Sequence, residues 1–250
     1  MKKKLINTGA PSYIIESTAN HLLDNVRYLS DLMDCTQLLC FGRNYYNEVF
    51  NTKSIEELKA VQNETGLRYL VHLPADLALL TPSRSKEATD CLQKIFSLTS
   101  VLSVEYYILH LDGFKTSSEH YLKTLIKLRQ KFPENFKNIC IENHDAAEEK
   151  KMNMAIQNGF PLCLDTGHCF ISGQNPLDFY TAFAPHIKVL HIHGHNRQSD
   201  HLPLSILQPE EIDILKKILV IFKGITVIEV FNEGDLEKSL DTLRAFSLPV

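Results

Sequence analysis

The side chains that could do chemistry stand at the ends of short apolar segments. Six consecutive segments end in this way, as YLVHLP with His72, ILHLDG with His110 and Asp112, ICIENH with Glu142 and Asn143, LDTGH with Asp165 and His168, HIHGH with His191 and His193, and VIEVF with Glu229. A later loop adds the adjacent pair Asp200 and His201. Imidazole and carboxylate ligands without thiolates are typical of catalytic zinc, manganese, iron or cobalt sites.

If these groups converge on one place, they require a cation. A single His or Glu at a strand end is more often a hydrogen-bonded structural residue. Six successive segments with the same feature favour one common site, and carboxylates crowded beside neutral imidazoles are unstable unless positive ions lie between them. The pattern therefore predicts a divalent-metal site, with zinc as the first candidate and manganese, iron or cobalt as alternatives.

Strands that alternate with helices must position these side chains. Short β-rich segments recur at Lys4–Thr8, Thr36–Phe41, Arg68–Leu73, Tyr106–Leu111, Asn138–Glu142, Leu162–Asp165, Lys188–His193 and Thr226–Val230. Amphipathic segments lie between or after them, at Ser54–Glu64, Lys86–Thr99, Ser118–Lys131, Ala146–Asn158, Pro176–Phe183, Pro209–Phe222 and Asp235–Phe246. Such alternation implies parallel strands joined by right-handed crossovers.

Eight strand–helix units in 250 residues match the size of a (β/α)₈ barrel, about 250 residues. An open doubly wound sheet is the main alternative, but the stretch Asn7–Pro11 lacks the Gly-rich turn that would follow its first strand. The sequence therefore predicts an α/β fold, a single TIM-barrel domain over residues 1–250. Its active site is expected at the carboxyl ends of the strands.

Composition and charge limit the classes of protein and partner. With 44% hydrophobic and 22% charged residues, the chain has a globular composition, and its length allows folding without a metal. A net charge of -4 disfavours nucleic acid and favours a small-molecule substrate. The six cysteines contain no Cys-x-x-Cys pair and fit reduced core thiols. We see neither a signal peptide nor a membrane span, and we expect a cytoplasmic protein.

The quartet Glu142, Asp165, His191 and Glu229 resembles the metal site of the xylose isomerase-like TIM-barrel superfamily. That superfamily holds sugar isomerases, epimerases and endonuclease IV-type phosphodiesterases. The segment Leu164–His168 is also typical of it. The resemblance covers nearly the whole chain and implies a barrel with a divalent metal bound by this quartet.

Further residues resemble ligands of the trinuclear zinc members, the endonuclease IV branch. By that resemblance one ion takes His72, His110 and a bridging Glu142, a second takes the quartet, and a third takes His168, Asp200 and His201. That branch separates its Asp and His by one residue, whereas Asp200 and His201 are adjacent here. In many relatives the second strand ends in Glu, whereas this chain has Phe41, Gly42 and Arg43 at that point.

Several short motifs look most like those of the cobamide-remodelling phosphodiesterases. They are Thr8–Tyr13, Asn25–Leu29, Val71–Asp76 and Asp200–Leu204. This resemblance implies the nucleotide loop of a cobamide as substrate. We expect the substrate contacts to come from Tyr13, Asp112, Asn143 and His193.

We expect one to three divalent ions. The first functional hypothesis is a metal-dependent phosphodiesterase, in which a cluster of two or three ions binds the phosphate and activates water for an in-line displacement. The alternative is a metal-dependent isomerase or epimerase of a sugar, sugar phosphate or keto acid, with Glu142 and Glu229 as proton-transfer bases. A third hypothesis is a barrel that binds a metal or ligand without turnover. The additional histidines discriminate, because a one-metal isomerase has no evident need for His72, His110 and His201 together.

Overall fold

The computed structural model of the chain contains a closed barrel of parallel strands. It describes residues 5–15, 21–40, 42, 50–77, 79–81, 83–111, 117–144, 149–196 and 198–246. The strands are β1 Leu5–Pro11, β2 Met33–Leu39, β3 Arg68–His72, β4 Val104–His110, β5 Ile139–Glu142, β6 Leu162–Asp165, β7 Ile187–Ile192, β8 Gly194–Asn196, β9 Ser199–Leu202 and β10 Ile225–Ile228. The barrel order is β1-β10-β7-β6-β5-β4-β3-β2, which confirms the predicted eight-stranded TIM barrel.

Helices lie between the barrel strands and after the last of them. They are α1 His21–Leu32, α2 Thr52–Thr65, α3 Ser85–Thr99, α4 Ser118–Lys131, α5 Glu149–Gln157, α6 Thr166–Ile171, α7 Pro176–Phe183, α8 Pro209–Ile221 and α9 Glu233–Ala245. Strand β6 and helices α4 and α7 have the predicted bounds. The sequence did not predict α1, the short α6 directly after β6, the antiparallel hairpin β8–β9, or the 3-10 helices at Phe136–Asn138 and Leu204–Ile206.

Strand β2 begins three residues earlier than predicted and ends at Leu39. The segment from Cys35 to Leu39 is buried throughout, so its sequence shows no alternation of polar and apolar residues that could define its ends. The predicted end at Phe41 lies outside the described residues. As a consequence, Gln37 stands near the carboxyl end of β2, whereas the predicted bounds put it near the amino end of the strand.

An apolar layer inside the barrel forms the floor of the site. Its residues are Cys35, Leu70, Ile108, Cys140, Cys163, Val189, Ile225 and Val227. Because side chains alternate along a strand, the residue two positions further on also points inward. The residues two positions further on are Gln37, His72, His110, Glu142, Asp165, His191 and Glu229. The barrel therefore carries one polar layer directly above its apolar floor.

All six cysteines are free and buried, as predicted. Three of them belong to the barrel floor, and burial raises the pKa of the Cys163 thiol to about 12. At neutral pH this thiol is neutral and packs as a small apolar group. Among the described residues, no helix has the length and apolar character needed to cross a membrane.

Candidate metal centre and active site

A cavity of about 480 Å³ opens at the carboxyl ends of the barrel strands. It is lined by Tyr13, Leu39, Cys40, His72, Ala75, His110, His144, His168, Asp200, His201, Glu229 and Phe231. TIM-barrel active sites lie at this end of the barrel, and the volume suits a small-molecule ligand. Five of the lining residues are histidines, which makes this cavity the candidate location of the metal ligands.

Four predicted ligands meet at the base of the cavity. Glu142, Asp165, His191 and Glu229 each offer one atom, and these atoms lie within 4.8 Å of one another. His191 Nδ1 lies 3.0 Å from Glu142 Oε1 and 3.0 Å from Glu229 Oε2. All four side chains are buried. Three buried carboxylates around one imidazole need compensating positive charge, which a divalent ion supplies.

Glu142 faces two groups of ligands at once. Its Oε1 lies beside His191, whereas its Oε2 lies 2.6 Å from His110 Nε2 and 3.6 Å from His72 Nε2. Although Oε2 is buried, it accepts no hydrogen bond from the described residues. Two imidazole nitrogens beside a buried carboxylate oxygen are a donor set that suits one divalent cation. The chemistry of His72, His110 and Glu142 thus fits a second divalent ion.

A third group contains His168, His193 and His201. The resemblance to the trinuclear branch implied Asp200 in place of His193. Asp200 lies on the exposed side of the β8–β9 hairpin, with its Oδ2 3.9 Å from His201 Nε2, whereas His193 directly follows β7 and is buried in the barrel. The structure therefore brings His193, and not Asp200, to this group, and Asp200 lines the cavity mouth.

Two residues expected to contact the substrate lie beneath the cavity and hold Asp165. Asn143 Nδ2 donates a hydrogen bond to Asp165 O at 3.0 Å, and Asp165 N–H donates to Asn143 Oδ1 at 2.7 Å. His193 Nε2 lies 3.2 Å from the Asp165 carboxylate. Asn143 and His193 are fully buried and are not among the described residues that line the cavity. Tyr13 lines it, and Asp112 lies outside the described residues.

Asp165 has a second function as the N-cap of α6. The backbone N–H of His168 donates to Asp165 Oδ1 at 2.7 Å, which starts this helix. The other oxygen, Oδ2, remains directed toward His191 Nδ1 at 3.9 Å. One side chain thus ends β6, begins α6 and offers an oxygen to the quartet.

Gly167 leaves space for the ring of His193. A β-carbon at residue 167 would collide with three atoms of that ring. We expect Gly167→Ala to displace His193 from Asp165 and to weaken zinc affinity by about tenfold, the low end of the effect of losing such a supporting contact. Competition with a chromophoric chelator measures the affinity.

The matched control is Gly234→Ala. There the nearest atom lies at an ordinary 3.6 Å from the added carbon, so zinc affinity should stay at the wild-type value. Wild-type affinity in Gly167→Ala would show that the His193 ring does not hold Asp165 in place.

Histidine protons balance the charge of the metal-free site. Burial lowers the pKa of His191, whereas the neighbouring carboxylates of Glu229 and Glu142 raise it, and the net pKa lies well above the usual value. Burial raises the pKa of Glu142, but His110 and His191 lower it by more, so this carboxyl stays ionised. A proton and a metal ion therefore compete for the same carboxylate-lined space.

This competition predicts the pH dependence of metal binding. A ligating imidazole must lose the proton on its metal-facing nitrogen, and the raised pKa means that His191 holds this proton at neutral pH. Zinc affinity should therefore rise with pH, by about tenfold per unit for each proton displaced, until the pKa of His191 is passed. Calorimetric titration at pH 7 in buffers of different ionisation enthalpy should count at least one proton released. Undiminished zinc retention down to about pH 4 would contradict a histidine-containing site.

Sequence reasoning missed Gln37 and gave no role to His144. Gln37 is fully buried and bonds to two members of the quartet. Its position two residues after the floor residue Cys35 is the signal that would have found it. His144 lines the cavity, with its ring centroid 5.3 Å from that of His168.

Residues 29–246 match the family model of the xylose isomerase-like TIM barrel. The chain belongs to this family. The superfamily resemblance drawn from the metal quartet is thereby confirmed, and members of this superfamily are enzymes that typically use divalent metals. Comparison with curated proteins finds no match, so nothing there bears on the cobamide resemblance.

Solved structures share this fold over almost the whole chain. A D-tagatose 3-epimerase-like protein superposes with a TM-score of 0.72 at 18% identity, over 96% of each chain. The 3-keto-D-glucoside 4-epimerase YcjR from E. coli has a TM-score of 0.68 at 15% identity, over 98% of this chain and 99% of its own. The probable 3-DHS dehydratase AsbF from Bacillus anthracis has a TM-score of 0.70 at 10% identity, over 95% and 98%. At these identities the likeness establishes the fold.

Proposed function

We propose that the protein is a divalent-metal-dependent enzyme for a small-molecule substrate, and that its reaction is the hydrolysis of a phosphodiester. The observation that carries the proposal is the position of Glu142, with one oxygen toward His191 and the other toward His72 and His110. A carboxylate in that position suits two ions that share it. Paired ions are the arrangement that clamps both the attacking and the leaving oxygen of an in-line displacement.

The chain's residues have distinct roles in this proposal. His72 and His110 would hold one ion together with Glu142, while Asp165, His191 and Glu229 would complete the quartet around another. His168 and His201 line the cavity and would hold a third ion, with Asp200 at the cavity mouth. Both ring nitrogens of the neighbouring His193 contact protein groups, namely Asp165 and the His201 N–H. Ions bound there supply Lewis acidity and a water-derived nucleophile at neutral pH. Tyr13 and His144 line the cavity and are positioned to contact the substrate.

A metal-dependent isomerase or epimerase is the second candidate. It is favoured by the quartet itself, in which Glu142 and Glu229 lie on either side of His191 Nδ1 at 3.0 Å and are available as proton-transfer bases. The solved structures also favour it over the hydrolase, because two of the three described above are an epimerase and an epimerase-like protein. This candidate uses the quartet alone and leaves His72 and His110 as cavity walls.

The substrate of the hydrolase is proposed from motif resemblance and charge. The Thr8–Tyr13 and Asp200–Leu204 motifs resemble cobamide-remodelling phosphodiesterases, and a net charge of -4 gives no global attraction for nucleic acid. We therefore propose the nucleotide loop of a cobamide as the first substrate to test. Free buried thiols fit a reducing compartment, so we propose that the protein acts in the cytoplasm.

Metal content and turnover together test the proposal. Protein purified without chelator should contain two to three equivalents of divalent metal per chain and should cleave a cobamide or an aryl phosphodiester. One equivalent, with conversion of a member of an aldose/ketose panel and no phosphodiester cleavage, would establish the second candidate instead. Bound metal without turnover of any of these substrates would point to the non-catalytic barrel.

A further inference from the structure

We infer that Gln37 is a positioning residue that determines which ring nitrogen of His191 faces the metal. The inference rests on the proposed metal centre at the quartet. Gln37 lies on β2, and strands β1 and β10 separate β2 from β7 in the barrel. Its side chain is fully buried and crosses the interior, where Nε2 donates to Glu229 Oε1 at 3.0 Å and Oε1 lies 2.8 Å from His191 Nε2.

The two partners fix the orientation of the Gln37 amide. An ionised carboxylate only accepts hydrogen bonds, so the amide nitrogen must face Glu229. The amide oxygen then faces His191, and because this oxygen also only accepts, His191 Nε2 must carry the hydrogen. A metal-bound imidazole is neutral and keeps one ring hydrogen. With that hydrogen on Nε2, Nδ1 is the nitrogen whose lone pair would face the metal.

The lone pair of Nδ1 is directed to the place where the ligands converge. Nδ1 lies 3.0 Å from Glu142 Oε1 and 3.0 Å from Glu229 Oε2. Without a cation, Nδ1 carries a hydrogen and donates it to Glu142 Oε1, and in that form it has no lone pair for a metal. When a metal displaces this proton, Gln37 keeps the remaining hydrogen on Nε2, so Nδ1 is the nitrogen that presents its lone pair.

Gln37 also orients Glu229. Its amide occupies Glu229 Oε1, which leaves Oε2 as the oxygen beside His191 Nδ1. The neutral Gln37 side chain thus determines which atom each of two ligands turns toward the metal position. These atoms are Nδ1 of His191 on β7 and Oε2 of Glu229 after β10. We expect this to act on the ion of the quartet and not on an ion held by His72 and His110.

The main test compares Gln37→Met with Gln62→Met. Methionine keeps the unbranched shape of glutamine and removes both hydrogen bonds. Gln62 is the matched control, because it is also buried and hydrogen-bonded, with Ser103 N–H donating to its Oε1 at 2.9 Å and its Nε2 donating to Leu67 O at 3.3 Å, far from the cavity. Chelator competition on the full chain measures the zinc dissociation constant of each ion.

We expect Gln37→Met to weaken one zinc ion by 10–100-fold, the usual effect of removing a hydrogen-bond partner of a metal ligand. Gln62→Met should lower the melting temperature without weakening zinc. Equal zinc affinity in Gln37→Met and wild type would overturn the inference. An equal loss in both variants would overturn it too, because the effect would then be a general loss of stability.

A spectroscopic readout and a second variant complete the test. In zinc-loaded wild-type protein, ring-nitrogen NMR should show His191 bound through Nδ1 with its hydrogen on Nε2; ligation through Nε2 would contradict the inference. Gln37→Glu keeps an acceptor for His191 and removes the donor to Glu229, so it should keep the Nδ1 ligation where Gln37→Met loses it. Absence of zinc from wild-type protein would mean that the proposed function has failed, whereas bound zinc that is indifferent to residue 37 would refute the role of Gln37 alone.

Discussion

Glu142→Gln is expected to remove metal from two groups of ligands in one substitution. The amide has nearly the shape of the carboxylate but no negative charge, and it presents an N–H group to either His110 or His191. Both groups of candidate ligands share this side chain, so metal content should fall by up to two equivalents. Lewis-acid stabilisation is worth several kcal/mol, and at about 1.4 kcal/mol per tenfold turnover should fall by about 10³-fold or more.

The matched control for this variant is Glu105→Gln. Glu105 lies on β4 and pairs with Arg68 at 3.0 Å at the amino-terminal end of the barrel strands, so its loss should leave metal content and turnover unchanged. Elemental analysis of metal per chain and initial rates on both substrate panels make the comparison. Full metal content and full turnover in Glu142→Gln would show that the polar layer is not the metal centre.

Elements whose ends are marked by a capping residue or a proline were predictable from the sequence. Helix α4 has Ser117 as its N-cap, accepting from His120 N–H, and α7 begins with Pro176; both bounds were predicted. Helix α1 was missed because it ends at Leu32 and β2 begins at the next residue, so no turn residue separates them. The hairpin β8–β9 was missed because strands of three and four residues carry too little periodicity to detect.

The candidate ligands can be recognised in the sequence because each of them ends an apolar segment or lies in the loop after β7, but the way they are grouped depends on the barrel. In the strand register His110 is paired with Glu142, and Asp165 is paired with His191. This register is set when the sheet closes into a barrel. Gln37 stands between the buried residues Thr36 and Leu38, so its segment looks like an uninterrupted core strand.

The hairpin β8–β9 explains why the sequence resemblance placed Asp200, and not His193, in the third group. His201 has a left-handed backbone with φ 52°, which is uncommon for a residue other than glycine. Its N–H donates to His193 Nδ1 at 3.0 Å, and its Nδ1 lies 3.1 Å from Glu229 O. These contacts turn His201 inward and leave Asp200 at the mouth, an arrangement that no local spacing rule encodes.

His110→Ala separates the two candidate functions most sharply. Its Nε2 lies 2.6 Å from Glu142 Oε2, and it belongs to the group with His72 but not to the quartet. In a hydrolase the variant should lose one ion, keep the ion of the quartet, and lose kcat by about 10³-fold, because the missing ion acts in the transition state. In an isomerase the same residue is part of the cavity wall, so KM should rise while kcat stays near the wild-type value.

The control for this experiment is His186→Ala, at an exposed histidine that precedes β7 at the opposite end of the barrel; it should change neither kinetic constant nor metal content. Metal must be counted in the same preparations that are assayed, because only the joint result discriminates. Loss of one equivalent together with loss of kcat on a phosphodiester supports the shared carboxylate of Glu142. An unchanged kcat on a sugar, with one equivalent of metal in both proteins, would assign His72 and His110 to substrate binding and make the protein an isomerase or epimerase.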